Sequence, residues 1–160
     1  MTHRGKQAEA RFALQRALPL REHVCGRQAV DYARLLDELA WLQICDSNID
    51  SPDDGAIALL KRSLVIKVCS VYLEDGADLS PVLCNPATPL DSPAWQDTLN
   101  RALRTHLPDN TLAISINRMA VAHMNLARKF NKDLGVRSHN LDIAKNLFDK
   151  SLALQCRTYG

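Results

Sequence analysis

Aromatic side chains make up only 5% of this chain, and glycine is sparser still, with six residues scattered along 160. So few aromatic residues in a Leu- and Ala-rich sequence favour helices over strands. Isolated glycines exclude a Gly-rich loop of the kind that cradles phosphate. No apolar run approaches the roughly 18 residues of a membrane span. The opening stretch MTHRGKQAEARF has no apolar centre and is not read as a secretory leader. Net charge is almost absent, at a formal +2, which speaks against a general nucleic-acid binder. The five cysteines, Cys25, Cys45, Cys69, Cys84 and Cys156, form no C-x-x-C pair and no zinc-finger spacing with histidine. The expectation is buried, reduced thiols in a cytoplasmic protein, with no metal and no cofactor. H-E-x-x-H and G-x-S-x-G are missing, and Asp37-Glu38, Asp53-Asp54 and Glu74-Asp75 are adjacent carboxylates that point in different directions on a helix. No catalytic residue is assigned, and the chain is read as non-enzymatic.

What the sequence does have is helical punctuation. Hydrophobic spacing predicts an all-α domain over 1–160 with about six helices. The expected spans are 6–24, with a kink or early break at Pro19 and a stop at Gly26; 28–45; and 54–73, capped by Asp53 or Asp54. They continue with 93–106, started by Asp91 or Ser92 and Pro93; 110–132, closed by Gly135; and 140–158. Pro81, Pro86, Pro89 and Pro93 make 77–93 a connector between two halves.

The halves resemble each other. Ala17 and Ala102, Ala40 and Ala127, and Ser63 and Ser151 recur at offsets of 85, 87 and 88 residues. Within them, four segments carry a residue, a large apolar one four later and a small one three after that: Ala10/Leu14/Ala17, Ala56/Leu60/Ser63, Trp95/Leu99/Ala102 and Ala144/Phe148/Ser151. Three begin on alanine, and Trp95 departs. Steps of four and three trace one helical face, and small residues on it let a neighbouring helix approach closely.

These motifs resemble tetratricopeptide repeats, above all the longer type of the kinesin light chains. Leu36-Asp37-Glu38-Leu39-Ala40 and His123-Met124-Asn125-Leu126-Ala127 are similar to the stretch in that family's first helix. Ala144, Phe148, Lys150-Ser151-Leu152 and Tyr159-Gly160, with the earlier copy Ala56, Leu60, Arg62-Ser63-Leu64 and Val71-Tyr72, are similar to its second helix. Two hairpins match, 28–73 and 110–158, while the connector replaces the first helix of a degenerate middle repeat. The resemblance implies antiparallel helix pairs, as a tetratricopeptide-like α-solenoid or a compact helical-repeat bundle. It leaves open whether the first and last helices cap the array, whether another copy packs on it, and whether the chain belongs to a longer protein.

The resemblance also implies a groove lined by first helices, in which the asparagine before leucine-alanine grips an extended peptide. Asn125 occupies that place in one copy and Glu38 in the other. Helical spacing adds Asp31, Arg34 and Trp41 beside Glu38, and Arg118, Ala122 and Lys129 beside Asn125. The expected function is a protein–protein interaction module binding a peptide or partner protein in this groove. The alternatives are a regulatory, sensor or self-association domain of a larger assembly, and a basic helical nucleic-acid-binding protein. Arg4, Lys6, Arg11, Arg16 and Arg21, against Glu9 and Glu22, are read either as a solvated helix face or as a basic docking surface for phosphate or anionic lipid.

Overall fold

Local sequence signals start and stop most of the helices. The computed structural model describes residues 3–26, 29–45, 55–72, 92–104 and 111–159. Among them it is all-helical, with six helices and no strand: α1 (His3–Cys25), α2 (Val30–Cys45), α3 (Ala56–Tyr72), α4 (Pro93–Arg104), α5 (Thr111–Lys129) and α6 (Leu134–Tyr159). The Asp53/Asp54 cap, the loop 46–53, residues 77–91 of the connector and the break at Pro108 lie outside the described residues.

Gly26 ends α1 as expected. Its φ of 82° suits a residue without a Cβ, and its N–H donates to the Glu22 carbonyl at 3.0 Å. Pro19 does not break the helix. It and Gln15, four residues earlier, are both exposed, so the Gln15 carbonyl that loses its N–H partner is hydrated instead. Ser92 is the cap of α4: its Oγ accepts the Trp95 N–H at 3.4 Å, and Pro93 follows as the first helical residue.

The connection between α5 and α6 departs from expectation. Helix α5 stops at Lys129, and α6 starts at Leu134 rather than near 140. Gly135 therefore lies in the first turn of α6 and does not close α5. The cause is Asp133, whose Oδ1 accepts the Val136 N–H at 3.1 Å and whose carbonyl accepts the Arg137 N–H at 2.9 Å. An aspartate at the N-cap starts a helix even where glycine follows two residues later.

Packing follows the small residues. Ser63 is fully buried and donates its hydroxyl to the Ala33 carbonyl at 2.9 Å, and Ser151 does the same to the Ala113 carbonyl at 2.9 Å. In each hairpin a serine of the second helix thus sits against an alanine of the first, which requires close helix approach. Helices α5 and α6 run antiparallel, since Ser151 meets Ala113 while Asn140 meets His123 near the other end. Helices α2 and α3 fold back on each other in the same sense, with Gln43 over Gly55 and Ser63 against Ala33. The matching serine contacts relate α2 to α5 by 80 residues, not by the 87 that Ala40 and Ala127 suggest. Seven residues are two helical turns, so the face is kept while the level changes.

The main core joins Ala40 of α2, Leu60, Leu64 and Val68 of α3, Trp95 of α4, Ile116 and Met119 of α5, and Leu147 of α6. A second cluster of Tyr32, Ala33, Leu36 and Ile66 takes Leu18 of α1 against it. Helix α3 packs on α2, α4 and α5, and α2 also touches α1 and α5. Trp95, the departure from the small-residue rule, is fully buried and fixes α4 against its neighbours α3 and α6. Trp95→Ala is expected to lower unfolding free energy by about 3–5 kcal/mol, read by urea denaturation; a loss below about 1 kcal/mol would show that α4 is not anchored through this side chain.

Candidate functional site

Helices α2 and α5 meet along a seam with a buried layer and an exposed layer. Asp37 and Glu38 show why neighbouring carboxylates differ. Asp37 points inward and is 3% exposed, whereas the Glu38 side chain is 54% exposed.

The buried layer is ionic. Lys67 of α3 pairs with Asp37 Oδ2, and both side chains are only 4% exposed. The Lys67 ammonium also donates to Ser115 Oγ at 2.7 Å and to the Thr111 carbonyl at 3.3 Å. Ser115 in turn donates to Asp37 Oδ2 at 2.6 Å, with the Thr111 carbonyl at 3.1 Å as a second acceptor. Three ammonium donors thus meet three acceptors. The group ties α2, α3 and α5 together. Its three side chains are sealed inside, and their proximity holds helices in register.

The exposed layer brings together three of the residues expected from the sequence. Arg118 of α5 donates through Nη2 to Glu38 Oε1 at 2.9 Å, and its guanidinium lies 5.4 Å from the centre of the Trp41 ring. Arg118 Nη1 is buried without a hydrogen-bond partner among the described residues, and the ring face beneath the guanidinium offers it electrostatic compensation. Trp41 itself is half-buried, so it serves both the core edge and the surface.

The remaining expected residues are spread along the same two helices. Asp31 and Arg34 form an exposed pair at 3.4 Å near the start of α2. Ala122 is buried one turn beyond Arg118, Asn125 is half-buried one turn further, and Lys129 is exposed at the end of α5. The amide of Asn125 forms no side-chain hydrogen bond among the described residues. Direct contact between Glu38 and Arg118 closes the seam at mid-height. The surface is therefore a shallow strip flanking a closed contact, with its small and amide positions on the α5 side.

His123 belongs to the hairpin core. It is 7% exposed, and its Nδ1 lies 2.8 Å from Asn140 Oδ1, while the Asn140 amide donates to the Val136 carbonyl at 2.8 Å. Among the described residues no group of three His, Cys, Asp or Glu side chains is placed to hold a metal ion. Cys25, Cys45, Cys69 and Cys156 are free thiols, but they are not buried as expected: Cys69 is half-buried on α3, and the other three sit at or near helix ends, where few neighbours cover them, and are exposed. Burial lowers the pKa of Lys61 and of Lys150, which lie on α3 and α6 and not on the seam helices. No helix among the described residues is long and apolar enough to cross a membrane.

Lys67 and Ser115 were missed in the sequence. The signal was present for Lys67, which lies four residues after Ser63 on the apolar face of α3, within Leu64-Val65-Ile66-Lys67-Val68. A lysine amid such neighbours calls for a buried acid. Compared with models of known protein families, with curated proteins and with solved structures, the chain matches none.

Lys67→Met is expected to cost about 3–5 kcal/mol because it strands the Asp37 charge in the interior, whereas the double change with Asp37→Leu should recover most of that loss. Urea denaturation of the two single variants and the double variant checks this. Additive losses would show that the two groups are not coupled.

Proposed function

We propose that the chain is a non-enzymatic protein–protein interaction module that binds a peptide or partner protein along the α2/α5 strip. The observation that carries this proposal is the convergence of Glu38, Trp41 and Arg118 from two helices at a partly exposed surface. Tryptophan and arginine are both enriched at the centre of binding surfaces. Ala122, Asn125 and Lys129 extend the strip along α5. Asn125 brings one amide able both to donate to a peptide carbonyl and to accept from a peptide N–H.

The helix arrangement supports the same reading. Each second helix packs on its first helix, α3 also packs on α5, and the two first helices touch. Such stacking is what a repeat array uses to present first helices on one face. Its tetratricopeptide character and the cytoplasmic setting belong to this proposal. A second reading, self-association within a larger assembly, draws on Leu134, Leu141 and Leu152, which are exposed along α6. Light scattering separates the two, since a stable dimer favours the second.

The strip is tested without Arg118, whose removal would leave both Glu38 and Trp41 without their partner. Glu38→Gln combined with Asn125→Ala is expected to reduce capture of a given partner by about tenfold, as loss of interface contacts of this kind does. Quantitative affinity capture beside the wild-type chain checks it, with an unchanged melting temperature as the fold control. Equal capture by both chains overturns the assignment of the strip.

A further inference from the structure

Helix α1 takes no part in the seam. It is 23 residues long, about 35 Å at 1.5 Å per residue. It packs on α2 through side chains such as Leu18. From Gly5 to Cys25 no described side chain is fully buried. On its outer side Phe12, Leu20 and Val24 are 61%, 68% and 76% exposed. They stand at steps of four along one row, and Arg16 fills the remaining step with its guanidinium 5.7 Å from the Phe12 ring centre.

Charge is concentrated on the same helix. Helix α1 has five Lys and Arg residues, at 4, 6, 11, 16 and 21, against Glu9 and Glu22. Its formal +3 exceeds the +2 of the whole chain, so the rest is close to neutral. Lys6, Arg16 and Arg21 are exposed, whereas of the two acids only Glu9 is.

We propose that the outer face of α1 docks on an anionic lipid bilayer, with the helix lying in the plane of the interface. Three large apolar side chains in a row on a convex rod fit a surface that yields beneath them, with the arginine stems, Arg16 within the row and Arg21 beside it, long enough to reach lipid phosphates. The excess positive charge complements that surface, each basic residue near it adding to the attraction. A second copy of the chain offers no such complement through its other exposed apolar row. Helix α6 carries Arg137, Lys145, Lys150 and Arg157 against Asp142 and Asp149, so it is basic as well.

The experiment is co-sedimentation of the full chain with vesicles of phosphatidylcholine containing phosphatidylserine, and with phosphatidylcholine alone. Binding to the anionic vesicles is expected, weakening with salt, and nearly absent on the neutral ones. Replacing the row by Phe12→Ser, Leu20→Ser and Val24→Ser should reduce the vesicle partition coefficient about tenfold or more. Arg16→Gln with Arg21→Gln should reduce it several-fold while leaving the apolar row intact. Helical circular dichroism identical to wild type confirms that both variants fold. Absence of binding, equal binding to neutral vesicles, or full binding by either folded variant overturns the proposal. So does a wild-type dimer that the triple variant abolishes, because the row then serves a second copy.

Discussion

The buried pair between Lys67 and Asp37 is the constraint on which the arrangement of the central helices depends. An ammonium and a carboxylate in the interior cannot tolerate separation, because the attraction that compensates for their lost hydration acts only at contact. Ser115 and the Thr111 carbonyl satisfy the ammonium, and Ser115 adds a second donor to Asp37 Oδ2, while Asp37 Oδ1 has no hydrogen-bond partner among the described residues. One residue each from α2 and α3 and two from α5 must therefore meet at one point. Apolar contacts alone would allow α3 to slide along its partners with modest changes in area. The polar set does not, so it specifies register.

Around that point, small residues set the distances. Ser63 and Ser151 each lie close enough to the neighbouring helix to reach a main-chain carbonyl. Both hydroxyls are thereby satisfied inside the core, where an unpaired one would cost about 1–3 kcal/mol. Trp95 is the opposite solution, a large residue that fills the space among α3, α4 and α6. With the interior arranged in this way, Glu38, Trp41 and Arg118 come together at the surface directly above the ion pair. The exposed strip inherits its geometry from the buried layer. Helix α1, held by α2 with no fully buried side chain described from Gly5 to Cys25, keeps a separate outward face with its own charge.

Much of this was legible beforehand, and the misses have physical causes. Helices α2 to α4 lie within one or two residues of expectation wherever they are described, and the end of α1 at Gly26 and the start of α4 at Ser92 and Pro93 are set by signals that act locally. Gly135 misled because glycine stops a helix only where the chain needs a left-handed turn. Here Asp133 had already started the next helix. The resemblance singled out Glu38 and helical spacing added Trp41 and Arg118, yet their mutual contact was not foreseen, since sequence similarity aligned the first helices two turns out of level. Lys67 passed unnoticed because its partner lies thirty residues away on another helix.

The sequence by itself determined the helical class, most helix limits and the small-residue faces. Each follows from interactions within a few residues of chain. Which carboxylate of Asp37-Glu38 turns inward, whether Ser115 of α5 meets it and whether Arg118 faces Glu38 or solvent were decided only by the tertiary structure. Those outcomes depend on the level at which two helices cross. That level is set by the burial of charge and by steric fit summed over several elements at once.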